Sequence, residues 1–328
     1  MTEKRILSGM RPTGKLHIGH LSVLDNWIKL QEEYKCYYMV ADWHALTTTF
    51  DDTGDIEKSI FEMVVDWVAV GLDPEKSAIF IQSQVKEHAE LFLLLSMLTP
   101  LSWLERVPTY KDQIDSFQNN GKDIRTYGFL GYPLLQSADI LLYQASAVPV
   151  GEDQLPHIEM TREIARRFNY MFGEKVFPEP LSLLGKTKLL PGIDGRKMSK
   201  SYNNEIAISA TSDEIWEKTR MMVTDPARIR KDDLGHPEVC TVFQYQKIYN
   251  EHEFENIEAL CRQGKIGCFA CKKLLYEKLD DMIKPIREKR EVLLKNPDQV
   301  KAIINSGNQR AREKAMKTME LVRTTMHI

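Results

Sequence analysis

The chain has 328 residues, of which 28% are charged, and its formal net charge is −3. This length leaves room for two domains with a sizeable core. The slightly acidic balance excludes a uniformly basic surface, so nucleic acid would have to be held by a local patch. Apolar runs such as residues 91–95 are too short to span a bilayer, and residues 1–9 carry no apolar signal-peptide core. We therefore expect a cytoplasmic protein with no membrane partner.

Strands and helices are predicted to alternate along the first hundred residues. Short apolar runs predict strands at 5–8, 36–41 and 78–83, and helical spacing of apolar residues predicts helices at 18–31, 55–70 and 89–98. This alternation favours an α/β fold with a Rossmann-like parallel sheet, which binds ligands beyond the carboxyl ends of its strands.

The middle of the chain departs from this alternation. Residues 100–131 are polar and predict a mobile insertion, whereas helical segments are predicted at 133–143 and on to about residue 168. The Gly- and Lys-rich residues 189–204 predict a loop.

Beyond residue 206 only helical spacing remains, at 213–222, 270–283 and 309–326. We therefore predict a sheet domain over residues 1–204 and a helical domain over residues 205–328. An arrangement in which the final helix packs back on the sheet domain is left open.

The stretch GMRPTGKLHIGH, residues 9–20, first resembles a phosphate-binding P-loop. Gly9 and the pair Gly14 and Lys15 have the spacing of that loop, but Leu16 stands where it needs a Ser or Thr for Mg²⁺. The alternative is a strand that ends at Gly9, a turn, and a helix whose first N–H groups face a phosphate.

Two histidines give this alternative its chemistry. His17 and His20 are three residues apart and would share one face of the first helical turn, with Gly19 allowing a ligand to approach closely. They could donate hydrogen bonds to phosphate oxygens, or they could be an ordinary pair that stabilises the helix start.

A second candidate is the string KMSKS at residues 197–201. Two lysines on a flexible loop can close on a pyrophosphate during reaction and release it afterwards. The plainer interpretation is a solvated basic loop.

The two strings HIGH and KMSKS, in this order, form the paired signature of class I aminoacyl-tRNA synthetases, which the chain resembles. Further strings extend the resemblance to bacterial tryptophanyl-tRNA synthetases over nearly the whole chain: ADWHALTT (41–48), YPLLQSADILLY (132–143), VPVGEDQLPHIEMTREIARRFN (148–169) and MMVTDPARIR (221–230). The resemblance implies a catalytic domain that uses Mg²⁺ with ATP to convert L-tryptophan to its adenylate. It also implies a C-terminal anticodon-binding domain and transfer of tryptophan to tRNA(Trp).

The resemblance also implies a set of site residues. The catalytic residues would be His17, His20, Lys197 and Lys200. The ATP-binding residues would be Arg11, Pro12, Thr13, Gly19, His20, Gly151, Glu152, Asp153, Lys197, Met198, Ser199, Lys200 and Ser201. The tryptophan-binding residues would be Asp139, Tyr132, Gln154, His44, Val40, Gln136, Val148 and Val150. Asp139 would accept the indole N–H, the ring's one polar group.

Three positions depart from the family pattern. Arg11 and His20 stand where many tryptophanyl enzymes carry Gln and Asn, and Gln136 stands where Met is common. The departures leave the reaction class unchanged but bear on the phosphate contacts and on one side of the indole pocket.

Four of the five cysteines follow the pattern C-x20-C-x6-C-x2-C, at Cys240, Cys261, Cys268 and Cys271. Four thiolates suit Zn²⁺ or a [4Fe–4S] cluster, although four buried free thiols are also compatible with the pattern. Some bacterial tryptophanyl enzymes carry a similar array with a slightly different first spacer, so the resemblance implies a [4Fe–4S] cluster, with Zn²⁺ as the alternative.

The resemblance implies a homodimer with tRNA(Trp), ATP and L-tryptophan as partners. Basic side chains that could form a tRNA patch, or simply a solvated face, are Arg228, Arg230, Lys231, Lys272 and Lys273. Three other functions stay open: a tyrosyl-tRNA synthetase, a nucleotidylyltransferase that forms an adenylate without tRNA, and an iron–sulfur regulatory protein with a degenerate synthetase core.

Overall fold

A computed structural model describes residues 4–119, 121–185, 190–198, 202–230 and 232–328. Ser199, Lys200, Ser201 and Lys231 lie outside the described residues. The described residues of Met1–Gly14, Asp25–Lys186 and Asn296–Ile328 form one compact unit, here called the sheet unit. Those of Lys15–Leu24 and Thr187–Lys295 form a second, the helical unit.

The boundary between the predicted domains, at residues 204 and 205, stays a prediction. The compact units divide the chain in another way. Residues 15–24, which contain the HIGH string, group with residues 187–295, whereas residues 296–328 group with the sheet.

A parallel sheet of five strands forms the centre of the sheet unit, in the order β3-β2-β1-β4-β5. The strands are β1 Arg5–Met10, β2 Lys35–Val40, β3 Ser77–Ile81, β4 Ala147–Val150 and β5 Leu181–Leu184. This confirms the predicted Rossmann-like α/β fold. The strand order reverses between β1 and β4, where folds of this kind form a ligand-binding crevice at the carboxyl ends of the strands.

The first strand does not end at Gly9 as predicted. It continues to Met10, and Gly9 pairs with Met39 of β2. A Cβ atom at Gly9 would lie 2.5 Å from the carbonyl oxygen of Met39, so glycine is required for the close approach of these strands. The turn-forming glycine is Gly14, whose φ of +102° disfavours any other residue.

The helices follow the predicted order with additions. They are α1 Leu21–Leu30, α2 Asp42–Thr49, α3 Ile56–Val70, α4 Glu87–Ser96, α5 Leu101–Glu105, α6 Pro108–Asn119, α7 Tyr127–Leu130, α8 Tyr132–Leu142, α9 Leu155–Phe172, α10 Ser212–Met221, α11 Thr241–Tyr249, α12 Phe254–Arg262, α13 Cys268–Lys295 and α14 Pro297–Met326. The polar segment 100–131 thus contains α5, α6 and α7. No helix among the described residues is both long and apolar enough to cross a membrane.

The core of the sheet unit joins α4, α8, α9 and α14 to the strands. Leu95, Leu141, Ile164 and Met319, one from each of these helices, are fully buried in one apolar cluster with Phe80 of β3. This packing holds α8, which carries the predicted site residues Tyr132, Gln136 and Asp139.

Helix α14 covers the open edge of β3. The Ile81 N–H donates to Asn308 Oδ1 at 2.9 Å, and the Arg310 guanidinium donates to the Ser77 carbonyl oxygen at 2.9 Å. Gly307 lies directly against the strand, because a Cβ atom there would be 1.8 Å from the Ile79 carbonyl oxygen. The helix therefore satisfies backbone groups that an edge strand would otherwise expose.

The helical unit packs α10 and α11 against the long helix α13. Leu275, Leu279 and Ile283 of α13 are fully buried, as are Ile215 of α10 and Tyr245 of α11. The described residues after 206 form no strand, as the sequence predicts.

Candidate functional site

Two predicted ATP-binding segments follow the strands on either side of the switch point. Arg11, Pro12 and Thr13 come directly after β1, and residues 151–153 come directly after β4 and lead into α9. Pro12 is buried, whereas Arg11 and Thr13 are exposed.

The turn after β4 presents two carboxylates. Glu152 and Asp153 are exposed, and the Gln154 side chain donates from Nε2 to Asp153 Oδ2 at 2.7 Å. A Cβ atom at Gly151 would lie 2.7 Å from Asp153 Oδ1, so a glycine here leaves room for that carboxylate. Carboxylates at such a turn can accept hydrogen bonds from hydroxyl groups of a ligand.

Asp139 of α8 is the centre of a buried polar network. His88 Nδ1 lies 2.7 Å from Asp139 Oδ1, and His44 Nε2 lies 2.9 Å from Oδ2. The Gln82 Nε2 amide is 3.0 Å from both carboxylate oxygens. Behind this layer, His88 Nε2 lies 2.9 Å from the Tyr143 hydroxyl.

Asp139 stays ionised despite complete burial. Burial alone would raise its pKa, but the electrostatic interaction with His88 and the hydrogen bonds from His44 and His88 outweigh burial and lower the pKa to about 2. An ionised carboxylate only accepts hydrogen bonds, so this group can receive a ligand N–H but cannot donate to it.

The other predicted tryptophan-binding residues lie on neighbouring elements of the sheet unit. Val40 ends β2 and is fully buried, Val148 of β4 is buried, and Val150 at the end of β4 is partly exposed. Gln136 lies one turn before Asp139 on α8 and is partly exposed. His44 is on α2, next to β2, and its side chain is 12% exposed.

Tyr132 belongs to a second polar cluster. Its hydroxyl lies 2.6 Å from Thr109 Oγ1 of α6, which lies 2.8 Å from His157 Nε2 of α9. Burial lowers the pKa of His157 to about 4, so its imidazole is neutral at physiological pH. The cluster thus ties the start of α8 to α6 and α9 without adding charge.

The HIGH string forms a single tight helical turn at the start of α1. His17 caps this turn: its Nδ1 accepts from the Gly19 N–H at 3.2 Å, and its own N–H donates to His20 Nδ1 at 3.2 Å. The two imidazole rings lie 3.9 Å apart. Because the His17 Nδ1 accepts, a neutral His17 ring carries its proton on Nε2, the nitrogen that could donate to a phosphate, whereas His20 Nδ1 also lies 3.2 Å from the His17 carbonyl oxygen and its role depends on the tautomer.

Leu16 of the same string is a core residue. It is 2% exposed, and its carbonyl oxygen accepts from the Ile208 N–H at 3.0 Å. The Ile18 N–H donates to the Ile206 carbonyl oxygen at 2.9 Å, so this segment pairs with residues 206–208. Leu16 therefore anchors the histidine turn and has no role toward Mg²⁺.

The described part of the KMSKS string lies beside the histidine turn. A Cβ atom at Gly19 would lie 3.6 Å from Met198 Sδ. Lys197 is exposed, and its carbonyl oxygen accepts from Asn204 Nδ2 at 3.1 Å. The helical unit thus brings the two signature strings together, although Ser199, Lys200 and Ser201 lie outside the described residues.

The four patterned cysteines line one cavity in the helical unit. Cys240 precedes α11, Cys261 lies on α12, and Cys268 and Cys271 lie on the first turn of α13. The cavity has a volume of about 20 Å³, and Val242, Phe243 and Ile257 supply apolar walls. None of the four forms a disulfide.

The cavity favours the protonated thiol at three of its cysteines. Burial raises the pKa of Cys240 and Cys261, and raises that of Cys271 to about 12. Arg228 Nη1 lies 3.7 Å from Cys261 Sγ, which favours the thiolate. Among the described residues, no group of three or more His, Cys, Asp or Glu side chains is placed to hold a single metal ion.

The predicted basic patch is only partly at the surface. Arg230 and Lys273 are exposed, but Arg228 points into the cysteine cavity and donates to the Ile266 carbonyl oxygen at 3.0 Å. Lys272 is partly exposed and donates to the Arg220 carbonyl oxygen at 2.6 Å. We therefore remove Arg228 from the patch, since its guanidinium is engaged with the cysteine cavity.

Sequence reasoning missed the partners of Asp139 and Tyr132. These are Gln82, His88, Tyr143, Thr109 and His157. One signal was present for Gln82, because it directly follows β3, and side chains after parallel strands meet at one edge of the sheet. For His88, no local pattern separates a buried network histidine from a surface residue of α4.

Known proteins match this chain over nearly all of its residues. A family model described as tRNA synthetases class I (W and Y) matches residues 2–284. A tryptophan–tRNA ligase of Thermotoga maritima is 53% identical over 99% of this chain and 99% of its own length. A tryptophan–tRNA ligase of Aquifex aeolicus is 44% identical over 99% of this chain and 100% of its own length.

The solved structure of tryptophanyl-tRNA synthetase from Campylobacter jejuni, complexed with ADP and tryptophan, is also similar. It is 31% identical, superimposes with a TM-score of 0.88, and the match covers 99% of this chain and 100% of that one. On these matches, the chain belongs to the class I tRNA synthetases for tryptophan and tyrosine.

Proposed function

We propose that the protein is a tryptophan–tRNA ligase, which activates L-tryptophan with ATP and transfers it to tRNA(Trp). The observation that carries this proposal is the full-length likeness to tryptophan–tRNA ligases at 53% and 44% identity. Asp139 supplies its physical reason, since a buried, ionised carboxylate suits the indole N–H. An apolar side chain that displaced His44 without supplying such a donor would leave the carboxylate short of a partner.

The first step joins the amino acid to the nucleotide. A carboxylate oxygen of tryptophan attacks the α-phosphorus of Mg·ATP in line, the bond to the bridging oxygen breaks, and pyrophosphate leaves. The protein supplies positioning and charge stabilisation in place of a covalent nucleophile. We assign His17 and His20 as donors to the phosphates, together with Lys197 and Lys200.

The second step transfers the tryptophanyl group. A hydroxyl of the terminal ribose of tRNA attacks the carbonyl carbon of the adenylate, and AMP leaves. We assign Tyr132 and Gln154 to the α-ammonium group of tryptophan, and Arg11, Pro12, Thr13 and residues 151–153 to the rest of ATP. Val40, His44, Gln136, Val148 and Val150 are assigned to the walls around the indole.

ATP–pyrophosphate exchange, measured with each of the twenty amino acids in turn, tests this function. We expect exchange with tryptophan alone, and charging of tRNA(Trp) in a second assay. Exchange with tyrosine would indicate a tyrosyl enzyme. Exchange without tRNA charging would indicate a nucleotidylyltransferase, and no exchange would indicate a regulatory protein.

We also propose that Cys240, Cys261, Cys268 and Cys271 hold a [4Fe–4S] cluster. The four side chains surround one apolar cavity with Arg228 beside it, whose charge would offset that of thiolate ligands. A single Zn²⁺ would need all four sulfurs about 2.3 Å from one point. Among the described residues, no group of three or more such side chains is placed to hold a metal ion, so the proposal rests on the spacing of the four cysteines and on the cavity that they share.

When bound, such a cluster would serve as a structural cross-link. Its ligands come from the segment before α11, from α12 and from α13, so it would tie three helical segments together. Binding must deprotonate thiols whose pKa values are raised, and affinity would therefore fall with falling pH.

The proposed partners include a second copy of the chain. Leu93, Met97 and Leu101 are exposed to 55%, 71% and 56%, and they lie along α4 and the start of α5. Apolar side chains in such a row suit a homodimer interface. Sedimentation of the wild type and of a Met97→Glu variant tests this interface. We expect the wild type to sediment as a dimer and the variant to dissociate more readily into monomers. We place the protein in the cytoplasm, together with its tRNA substrate.

A further inference from the structure

A layer of fully buried side chains lies behind Asp139 and takes no part in the steps described above. His88 at the start of α4 and Gln82 after β3 are both 0% exposed, as is Tyr143 at the end of α8. His88 bridges the Asp139 carboxylate and the Tyr143 hydroxyl, at 2.7 and 2.9 Å. Polar groups at this depth are retained where they fix the orientation of a functional group.

The chemistry of the bridge sets the direction of each hydrogen bond. The Asp139 carboxylate is an acceptor only, so the His88 Nδ1–H must donate to it. In a neutral imidazole the other nitrogen, Nε2, then has a lone pair and accepts the Tyr143 O–H. Burial and the nearby Asp139 charge raise the pKa of Tyr143 well above its usual value, so the hydroxyl keeps this proton.

His44 differs from the other donors to Asp139. Its side chain is 12% exposed, whereas His88 and Gln82 are enclosed by the core. A ligand that enters from the carboxyl edge of the sheet therefore reaches the His44 side of the carboxylate first. The ring N–H of the ligand can take the place of His44 as the donor to Asp139 Oδ2.

We propose that Tyr143, His88 and Gln82 are positioning residues for indole recognition: they fix the Asp139 carboxylate in orientation, while His44 is a placeholder donor that yields to the indole N–H. The proposal rests on the proposed assignment of Asp139 to the indole. Tyr143 never touches tryptophan. Its hydroxyl donates to His88 Nε2 and so holds His88 in the tautomer whose Nδ1–H donates to Asp139. In other sites, too, a hydrogen bond to one ring nitrogen of a histidine decides which nitrogen carries the proton.

The most direct test is the Tyr143→Phe variant, which removes one hydroxyl and keeps the ring. We expect the KM for tryptophan in ATP–pyrophosphate exchange to rise about tenfold or more, with kcat within about threefold of the wild type. Discrimination against the benzothiophene analogue of tryptophan, which lacks the ring N–H, should fall by a similar factor.

Tyr38→Phe is the matched control. Tyr38 is also 0% exposed in the sheet unit, and its hydroxyl donates to the Trp27 carbonyl oxygen at 2.8 Å. The Tyr38→Phe variant therefore loses a buried hydroxyl hydrogen bond of the same kind, and it leaves the Asp139 network intact. We expect a similar loss of thermal stability but an unchanged KM for tryptophan.

A double variant tests the tautomer mechanism itself. In His88→Gln the amide N–H₂ donates without needing a tautomer, so adding Tyr143→Phe should change the KM for tryptophan no further. A full additional tenfold effect would overturn the mechanism, and so would a Tyr143→Phe variant that behaves like Tyr38→Phe.

Asp139→Asn separates failure of this inference from failure of the site assignment. If this variant keeps the wild-type KM and selectivity, Asp139 does not bind the indole N–H. The site assignment and the positioning role are then both wrong. If it loses them while Tyr143→Phe matches its control, the assignment of Asp139 stands and only the positioning role is overturned.

Discussion

At the level of single side chains, Lys197 offers a direct test of phosphate handling. It is exposed, and its carbonyl oxygen accepts a hydrogen bond from Asn204. Lys197→Ala should therefore leave the loop in place and slow ATP–pyrophosphate exchange about a hundredfold or more, because a charge aimed at the developing pyrophosphate is lost.

The dissociation constant for tryptophan, measured by calorimetry, should change less than about threefold in this variant. Lys273→Ala is the matched control, since it removes an exposed lysine of the same unit that exchange does not use. An unchanged exchange rate in Lys197→Ala would contradict the assignment.

His157 makes a prediction about pH. Burial lowers its pKa from 6.5 to about 4. Between these values the unfolded chain binds a proton that the folded protein excludes, so the free energy of unfolding falls as pH drops through this window. At pH 5 the loss is about 2 kcal/mol relative to pH 7.5.

The measurement is urea unfolding of the wild type and of His157→Gln at pH 7.5 and pH 5. The variant should lose about 2 kcal/mol less on acidification, whereas His252→Gln, at an exposed position, should follow the wild type. Parallel losses in all three proteins would show that His157 is not held neutral by burial.

The sequence predicts the candidate site only where short family strings contain its residues. The HIGH and KMSKS strings and the segments around Asp139 and Gly151 point to chemistry without any structure. The partner His88 could not be found in this way, because it meets Asp139 through the packing of α4 against α8. That packing depends on long-range contacts, which no local pattern encodes.

At the level of elements, Gly307 of α14 is the position with the least room. A Cβ atom there would lie 1.8 Å from the Ile79 carbonyl oxygen, and a backbone atom cannot rotate away. Gly307→Ala should therefore lower the free energy of unfolding by about 1–3 kcal/mol or more, although alanine favours a helix.

Chemical denaturation measures this effect. Ser306→Ala, one residue earlier and exposed, supplies the control and should be neutral or slightly stabilising. Equal stability of the two variants would mean that α14 does not press on β3 in this way.

Elements with a regular apolar pattern in the first half of the chain were predictable, and β4 was not. The strands β1, β2 and β3 and the helices α1, α3, α4 and α8 were found within a few residues of their bounds. By contrast, β4 is only Ala147–Val150 and contains Pro149, which ordinarily argues against an inner strand. It becomes a strand because β1 and β5 pair with it on both sides.

At the level of the whole molecule, chemical analysis can test the iron–sulfur group that we propose for the four cysteines. Protein purified without oxygen should contain about four iron and four sulfide per chain and absorb in the visible range. Cys271→Ser should abolish both, since it removes a proposed ligand from the first turn of α13.

Cys36→Ser is the control, because Cys36 lies in β2, is itself buried and does not line the cavity. It should keep the full iron content. Zinc in place of iron would favour the alternative ion, and protein without either metal in both preparations would contradict the proposal.

The assignment of α14 shows what sequence periodicity leaves undetermined. Its spacing predicted a helix at 309–326, and the helix observed is longer, Pro297–Met326. Periodicity identifies the apolar face of a helix but not the surface that it covers. Here that surface belongs to the sheet unit, as the contacts of Gly307 with Ile79 and of Asn308 with Ile81 show.

The cover that α14 gives to β3 also has a consequence during synthesis of the chain. Ile81 and Asn308 are separated by 227 positions. A ribosome that adds about 5–20 residues per second needs roughly 10–50 s to supply that cover. Throughout this interval the nascent sheet carries an unprotected strand edge, which invites pairing with other chains. We therefore expect nascent chains stalled before residue 296 to depend on a chaperone.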